Sequence, residues 1–320
     1  MKPFRFVLLP LLALMPLCVA PALAQTRIIS GFPPGGGVDS LARIFAERLS
    51  EALGRPVVVE TRTGAAGVIS AQALKASAPD GNTLMVAPDS MISLYPHTVS
   101  KPAYDTLADF IPVAHLGGYP IALAVGAASP AIDLKEYINR AKAAPANANY
   151  GTAGAGTTLH FIGLIIGQAT GVGMTHVAYR GVAPALTDVI GGQVPAVILP
   201  LGTLLPLANG GKLRILAHSG SRRSTAAPNV PTFKELGYPT VEVSGWFGLF
   251  APARTPPEII GRYNSIVLQA ERTAATQEKL RALDLETREA SPAELTALLK
   301  ADYERWGPVV KASGFSADSQ

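Results

Sequence analysis

Cysteine is nearly absent from this 320-residue sequence, and Cys18 is the only one. It lies in a stretch with the features of an export signal, in which Lys2 and Arg5 precede an apolar run and alanines occupy positions 22 and 24. We therefore predict a signal peptide over residues 1–24 and a mature chain in the periplasm. That chain would contain no thiol and no disulfide, so a conventional apolar core must stabilise it.

The net charge of the sequence is also small. The sequence has 27 basic and 23 acidic residues, and loss of Lys2 and Arg5 with the signal peptide leaves 25 against 23, a net of +2. The longest basic block is Arg222-Arg223, so nucleic acid binding is not expected. No apolar run after residue 24 approaches the roughly 18 residues needed to span a bilayer. These features predict a soluble monomer with two domains of moderate size.

Motifs of catalysis and metal binding are missing as well. The sequence contains no G-x-S-x-G motif and no two histidines spaced as H-x-x-x-H. Residues 151–158, GTAGAGTT, nearly match the phosphate-loop pattern, but Thr157 stands where that pattern requires the lysine that contacts nucleotide phosphates. We therefore expect no enzyme activity, no cofactor and no metal.

Short apolar runs alternate with amphipathic segments in two successive sets. In the first set, runs at residues 28–29, 57–60 and 83–87 are separated by helical patterns. This order predicts an α/β fold with parallel strands, crossover helices and loops gathered at one edge of the sheet. Two such units would face each other across a cleft, where small ligands commonly bind. The runs of the second set are at residues 121–125, 176–179, 194–199 and 213–217.

The chain is expected to cross between these two units twice. Residues 119–126 would carry it out of the first unit, and the apolar stretch at 241–250 would carry it back. We accordingly predict that lobe 1 consists of residues 25–124 and 246–320, and that lobe 2 consists of residues 125–245.

The last part of the sequence predicts helices. Pro257 and Glu258 are typical of a helix start. Ser291 and Glu294 have the spacing of a capping box, which predicts a further helix that ends near Trp306. Residues 313–320 are expected to fray.

Two glycine-rich stretches follow predicted strands and precede predicted helices. The first is FPPGGGVD at residues 32–39, and the second is GTAGAGTT at residues 151–158. Glycines let a ligand approach the backbone closely, and the free N–H groups at a helix start attract anions. Both stretches are therefore candidate carboxylate sites, to which the threonine hydroxyls of the second add donors. The alternative for each is an ordinary turn, with Asp39 as the N-cap of the helix after the first.

Three single residues are further candidates. His160 follows the second glycine stretch and could donate a hydrogen bond to an anion or cap a turn. Arg180 follows a predicted strand and could face the cleft or lie on the surface. Trp246 could line the cleft or pack in the core between the lobes.

Seven segments of the mature chain, in this order, carry a family resemblance: FPPGGGVD (32–39), GRPVVVE (54–60), GAAG (64–67), APDGNTL (78–84), NYGTAGAGTTLH (149–160), YRGVAPALTDVIGGQV (179–194) and WFGLFAPARTP (246–256). Through them the mature chain resembles, over nearly its full length, the substrate-binding proteins of tripartite tricarboxylate transporters, the Bug family. The resemblance implies a type II periplasmic binding fold, a two-lobed Venus flytrap with two strand crossovers that closes on a small carboxylate.

The resemblance also implies that backbone amides, hydroxyls and ordered waters of the two glycine stretches hold the ligand. Many family members have an acidic residue where this chain has Leu199, and a leucine cannot pair with an ammonium group. We therefore expect an aliphatic, aromatic or tricarboxylic acid without an amino group. The candidate ligand-binding residues are Phe32, Pro34, Gly35, Gly36, Ser90, Thr152, Ala153, Gly154, Gly156, Thr157, Thr158, His160, Arg180 and Leu199.

The function expected from the resemblance is capture of such an acid and its delivery to the membrane permease subunits of a tripartite transporter. Two alternatives stay open at this point. The chain could report the ligand to a membrane kinase, or it could be an exported α/β enzyme that acts on a small acid. The enzyme alternative needs a titratable pair, for which only His160 with Asp89 or Arg180 can be suggested.

Overall fold

The computed structural model describes residues 25–319, and the predicted signal peptide at residues 1–24 lies outside the described residues. The strands that it shows are β1 (Thr26–Ser30), β2 (Val57–Thr61), β3 (Thr83–Pro88), β4 (Phe110–Gly126), β5 (Asn149–Thr152), β6 (Thr175–Ala178), β7 (Ala196–Pro200), β8 (Leu213–His218) and β9 (Ser244–Pro252).

Helices follow most of these strands, as the alternating pattern predicts. Within residues 25–319, none of them is long and apolar enough to cross a bilayer. They are α1 (Gly37–Leu53), α2 (Val68–Lys75), α3 (Thr106–Asp109), α4 (Leu134–Ala143), α5 (Thr158–Thr170), α6 (Val182–Ile190), α7 (Leu201–Asn209), α8 (Pro257–Glu271), α9 (Ala274–Ala282) and α10 (Pro292–Ser313).

The strands form one hydrogen-bonded sheet with two parallel parts. Its order is β2-β1-β3-β9-β4-β7-β5-β6, and β8 also pairs with β4. Strands β1, β2 and β3 run parallel, as do β5, β6 and β7, and these two sets confirm the predicted parallel strands. The predicted runs at residues 121–125 and 213–217 are an exception, because they form antiparallel pairs. Strands β4 and β9 run antiparallel to their neighbours because they are the long connections between the two parts.

Strand β4 changes partners along its length. Residues 110–120 pair with β9, whereas residues 121–126 pair with β7 and β8. We call the part built on β1–β3, β9 and residues 110–120 the first half-sheet, and the part built on β5–β8 and residues 121–126 the second half-sheet. The lobe boundaries predicted after residues 124 and 245 lie close to this change of partners and stay a prediction.

Each half-sheet is covered by helices through apolar stripes of the expected period. Helix α1 buries Leu41, Phe45 and Leu49 against the first half-sheet and ends at Gly54, which has a left-handed φ of 64°. Helix α5 packs on the second half-sheet in the same way, with Phe161 fully buried. These helices fix where the loops before them lie, and those loops are the two glycine stretches.

Helix α10 packs against the cores of both half-sheets. It begins with the predicted capping box, which is confirmed, but it continues to Ser313 rather than ending near Trp306. Leu299 near its start packs in a core of the first half-sheet. Trp306 and Val310 pack in the core of the second. The helix therefore places the segment that follows it beside the loops of both half-sheets.

Candidate functional site

A cavity of about 540 Å³, here called the loop cavity, lies where loops of the two half-sheets meet. Phe32, Ser90, Gly156 and Thr157, all predicted from the sequence, line it together. No Asp, Glu, Lys, Arg or His occurs among its lining residues. These are Phe32, Ala65, Ala66, Val68, Ser90, Met91, Tyr95, Thr98, Val99, Ala155, Gly156, Thr157, Phe315 and Ala317.

The first glycine stretch forms a tight turn before α1, but Pro34, Gly35 and Gly36 are exposed and do not line the loop cavity. The N-cap of α1 is Gly36, so the alternative that made Asp39 the N-cap is wrong. Asp39 is the third helical residue, and its Oδ2 accepts hydrogen bonds from the Gly35 N–H at 3.0 Å and from Arg43 Nε at 2.8 Å. The Arg43 bond lowers the pKa of Asp39. This carboxylate therefore shapes the turn from within.

The loop after β2, residues 64–67, forms part of the cavity wall in a left-handed conformation. Gly64, Ala65, Ala66 and Gly67 all have positive φ angles, of 131°, 47°, 53° and 93°. An alanine in this region costs roughly 1–2 kcal/mol, and backbone strain of this kind is concentrated at ligand sites. Two such alanines in succession, both lining the loop cavity, make this loop a candidate part of the site.

Replacement of Ala66 by glycine is expected to raise the free energy of unfolding by about 0.5–1 kcal/mol, because glycine adopts the left-handed conformation without strain. Ala301→Gly is the matched control, since Ala301 is exposed in the middle of right-handed α10 and should lose about 1 kcal/mol. Urea unfolding measures both. A loss of stability in Ala66→Gly similar to that in the control would contradict the assigned strain.

Ser90 offers a hydroxyl to the loop cavity. It begins a π-helical turn, Ser90–Leu94, directly after β3. Its side chain is half-buried, and its hydroxyl makes no hydrogen bond with any of residues 25–319. The hydroxyl is therefore free to donate to a bound oxygen.

The second glycine stretch already uses its threonine hydroxyls within the protein. Thr157 is the N-cap of α5, and its Oγ1 donates to the Gly154 carbonyl at 2.9 Å. The Thr158 Oγ1 donates to Asp89 Oδ2 at 2.7 Å. The stretch can therefore offer the cavity its backbone at Ala155 and Thr157, which lies beside the positive end of the α5 dipole.

Two stacked histidines lie behind this loop. The rings of His160 and His176 are 3.9 Å apart between centroids and inclined by 18°. Burial lowers the pKa of His160 to about 4 and that of His176 to about 3, so both are neutral at pH 7. His160 Nδ1 then accepts from the Gly156 N–H at 3.3 Å, and Thr152 Oγ1 lies 2.7 Å from His176 Nε2. His160 thus holds the loop and lies outside the cavity lining.

The remaining predicted residues lie away from the cavity. Arg180 is exposed in the turn before α6. Leu199 is fully buried in β7, where it pairs with Ala122, because both faces of that strand are covered. Ala153 and Gly154 form the base of the second glycine stretch without lining the cavity.

Residues after α10 form a wall of the loop cavity, so the predicted fraying is wrong. Phe315 and Ala317 line the cavity. The Ala317 N–H donates to the Thr98 carbonyl at 2.7 Å, and the Ser100 N–H donates to Asp318 Oδ2 at 2.7 Å. These bonds hold the tail segment, residues 314–319, against the turn after β3.

Several lining residues were missed by sequence reasoning. Ala65 and Ala66 had a signal, since their GAAG motif contributed to the resemblance, but small residues alone do not distinguish a cavity wall from a turn. Met91 and Tyr95 stand in no sequence motif that points to a ligand. Phe315 gave no signal, because it stands in a short polar stretch without periodicity.

A second cavity, of about 580 Å³, flanks the crossover strands and contains none of the predicted ligand-binding residues. Its charges are partly paired already, with Arg305 3.2 Å from Asp302. Trp246 borders it but is only 2% exposed, and its Nε1 donates to Asp302 Oδ2 at 2.6 Å, which confirms core packing for this residue. The loop cavity is the better candidate because free donors and a helix N-terminus converge there.

The groups that line the loop cavity are suited to an anion rather than to a metal or to catalysis. Among residues 25–319 no three His, Cys, Asp or Glu side chains are grouped so as to bind a metal. The pair suggested for catalysis does not face the cavity, since Asp89 is 1% exposed and bonded to Thr158, and His160 is bonded to Gly156. The arrangement fits hydrogen bonding to a carboxylate.

Comparison with known proteins identifies the family of this chain. The model of the tripartite tricarboxylate transporter family receptor matches residues 41–315. The chain is 35% identical to protein BugT of Bordetella pertussis over 306 residues, which are 92% of this chain and 93% of that protein.

Solved structures agree with this match. MatC from Rhodopseudomonas palustris with bound malate has a TM-score of 0.76 and 30% identity, over 89% of this chain and 98% of that one. A second Rhodopseudomonas palustris protein, with adipate, has a TM-score of 0.79 and 32% identity, over 91% of this chain and 98% of that one. The predicted two-lobed α/β periplasmic binding fold is confirmed. By sequence and by fold, this chain belongs to the tripartite tricarboxylate transporter receptor family.

Proposed function

We propose that this protein captures a small carboxylate without an amino group in the loop cavity and delivers it to the membrane permease of a tripartite transporter. One observation carries the proposal. Ser90 and the residues that lead into the N-terminus of α5, Ala155 to Thr157, line the same space, and no acidic side chain lines that space to repel an anion. Backbone N–H groups and a hydroxyl suffice to bind a carboxylate at such a site.

The lining also supports the exclusion of an amino group. An ammonium in the loop cavity would meet no carboxylate, and a buried unpaired charge is costly. Leu199 does not exclude an amino group, because its side chain is buried in the core and cannot meet the ligand. The ligands of the two Rhodopseudomonas palustris relatives, malate and adipate, are likewise acids without an amino group.

We propose further that the two predicted lobes close on the ligand and that the protein acts in the periplasm. Lobe 1 (residues 25–124 and 246–320) and lobe 2 (residues 125–245) would close on the ligand, and the protein would act in the periplasm as a binding protein without catalysis. Closure would present one surface built from both lobes to the permease.

Isothermal titration with a panel of organic acids and amino acids tests the capture step. We expect at least one acid to bind and no zwitterionic amino acid to bind. Ser90→Ala should weaken that acid by roughly tenfold or more, since a hydrogen bond to a charged group contributes about 1.5–3 kcal/mol. Ser265→Ala, on the exposed face of α8, is the matched control and should bind like the unchanged protein.

Tight binding of an amino acid and of none of the acids would refute the capture step. Delivery is tested separately, by deleting the protein from its host and following uptake of the acid that it binds. Unchanged uptake would exclude delivery and favour a sensing role.

A further inference from the structure

We propose that the second cavity binds a small tetrahedral dianion of the phosphate or sulfate type, which Arg222 and Arg288 hold. No residue lines both this cavity and the loop cavity, so the inference does not depend on the proposed function. It gives the protein a second ligand, of a different chemical class from the carboxylate.

The second cavity is assembled from segments that are distant in the sequence. Residues 118–120 of β4 and 244–246 of β9 line it where these two crossover strands pair. The loop after β8, the segment between α9 and α10, and α10 itself supply most of the other lining residues. A ligand in this cavity would therefore contact the junction of the two half-sheets.

Two arginines of this lining have no ionic partner. Arg222 follows β8 and Arg288 precedes α10, and neither side chain forms an ion pair or a hydrogen bond with any of residues 25–319. Arg305 differs, because its Nη1 lies 3.2 Å from Asp302 Oδ1. A guanidinium presents paired N–H donors that match the oxygens of one anion. The two unpaired arginines can therefore hold an anion with two charges.

The carboxylates of the lining do not cancel these two charges. Asp302 is paired with Arg305, and Glu242 Oε2 lies 2.9 Å from Lys234 Nζ. Glu286 is the one lining carboxylate for which the described residues provide no cation, and it is exposed. Two unpaired cations against one unpaired carboxylate leave a positive balance, which favours an anionic ligand.

Three uncharged donors line the same cavity. They are the hydroxyls of Ser221, Ser244 and Thr287, and none of them forms a hydrogen bond with any of residues 25–319. With the two guanidiniums they offer more donors than one carboxylate group can accept. A tetrahedral anion presents more acceptor oxygens than a carboxylate does and suits this set better.

His115 is the buried polar side chain of the cavity. It lies on β4, is 5% exposed, and its ring forms no hydrogen bond with any of residues 25–319. Burial and the charge of Arg288 lower the pKa of His115 to about 4, so the ring is neutral at pH 7 and keeps one N–H to donate. A buried polar group without a partner is costly. A bound anion would supply an acceptor for this ring.

Isothermal titration of sulfate at pH 7 and low ionic strength tests the site. We expect saturable binding to the folded protein. Arg222→Gln and Arg288→Gln should each weaken sulfate binding by about tenfold or more, because each removes hydrogen bonds between charged groups. Arg262→Gln, on an exposed position of α8, is the matched control and should bind sulfate like the unchanged protein.

Two further variants separate this site from the loop cavity. Glu286→Gln removes the unpaired carboxylate and should tighten sulfate binding by about twofold to fivefold. Ser90→Ala alters the loop cavity alone and should not change the affinity for sulfate. Circular dichroism establishes that each variant is folded, which we expect because all of the substituted side chains of the second cavity are exposed.

Phosphate and glycerol 1-phosphate identify the source of the anion. Tighter binding of glycerol 1-phosphate than of phosphate would indicate an organic phosphate ester, for whose body a cavity of about 580 Å³ has room. Tighter binding of phosphate or sulfate would indicate an inorganic anion. Either result supports the site, since the ligands share the same charged group.

Three results would overturn the inference. The site is refuted if none of sulfate, phosphate and glycerol 1-phosphate binds to the folded protein. Sulfate affinity that is unchanged in both arginine variants, or weakened in Ser90→Ala, would mean that the anion binds elsewhere. Succinate that binds more tightly than sulfate, and loses affinity in the arginine variants, would exclude the tetrahedral class. None of these results bears on carboxylate capture in the loop cavity, which the acid panel tests separately.

Discussion

Replacement of Asp89 by asparagine is expected to raise the free energy of unfolding above pH 7 by about 4 kcal/mol. Asp89 is 1% exposed at the end of β3, and burial, together with the nearby Asp302 carboxylate, raises its pKa from 3.8 to about 7. A shift of roughly three units corresponds to about 4 kcal/mol. Asparagine can still accept the hydrogen bond of Thr158, so the link between β3 and α5 is kept.

The sign of this effect follows from proton binding. Because the pKa of Asp89 is higher in the folded state, the folded protein binds more protons than the unfolded chain between pH 4 and pH 7. Stability from this group is therefore fully present below about pH 4 and is lost as the pH rises to about 7. The advantage of the Asp89→Asn variant should be small at pH 4 and should grow up to pH 7.

Urea unfolding at pH 4, 5.5 and 8 measures this difference. Glu304→Gln, on an exposed position of α10, is the control and should show no comparable growth with pH. If Asp89→Asn raises the free energy of unfolding by the same amount at all three pH values, the pKa of Asp89 is the same in the folded and unfolded states.

Replacement of Gly163 by alanine is expected to lower the free energy of unfolding by about 1–3 kcal/mol, the usual cost of overpacking. Gly163 lies in α5, where a Cβ would overlap the ring of Tyr150 on β5. That ring cannot move aside, since it is fully buried and its hydroxyl donates to the His160 carbonyl at 2.7 Å. Helix α5 would have to move away from the second half-sheet and would shift Gly156 and Thr157, which precede it and line the cavity.

Gly261→Ala is the matched control for this prediction. Gly261 also lies within a helix, α8, but no atom comes within 4 Å of the position of its Cβ. That variant should gain about 0.5–1 kcal/mol from the better helix propensity of alanine. Equal effects of the two substitutions in urea unfolding would show that α5 does not pack on Tyr150 as described.

Burial explains which elements were predictable. Leu41, Phe45 and Leu49 recur at helical spacing because one face of α1 packs on the sheet, and that spacing is visible in the sequence alone. The first part of β4 gave no such signal. Gly117 and Pro120 interrupt its pattern, and the strand is held by its pairing with β9, whose register is irregular beside Gly117. The pairing of distant segments, rather than local preference, decides this strand.

The site was predictable where local motifs form it. Ser90, Gly156 and Thr157 lie in segments that lead from a strand into a helical turn, a pattern that the sequence shows. The cavity wall that the tail segment forms depends instead on contacts such as that between Ser100 and Asp318, which are 218 positions apart. No spacing rule connects such residues, so the apolar wall of the cavity emerged only from the structure.

The shared strand β4 determines how the two half-sheets unfold. Its residues complete the hydrogen bonding of both, and Tyr119, just before the change of partners, packs against both cores. Melting of one half-sheet would strip the other of a central strand and of helix α10, which contributes Leu299 to one core and Trp306 to another. We therefore expect the two halves to unfold as one cooperative unit, so that a destabilising substitution in either half lowers the stability of both.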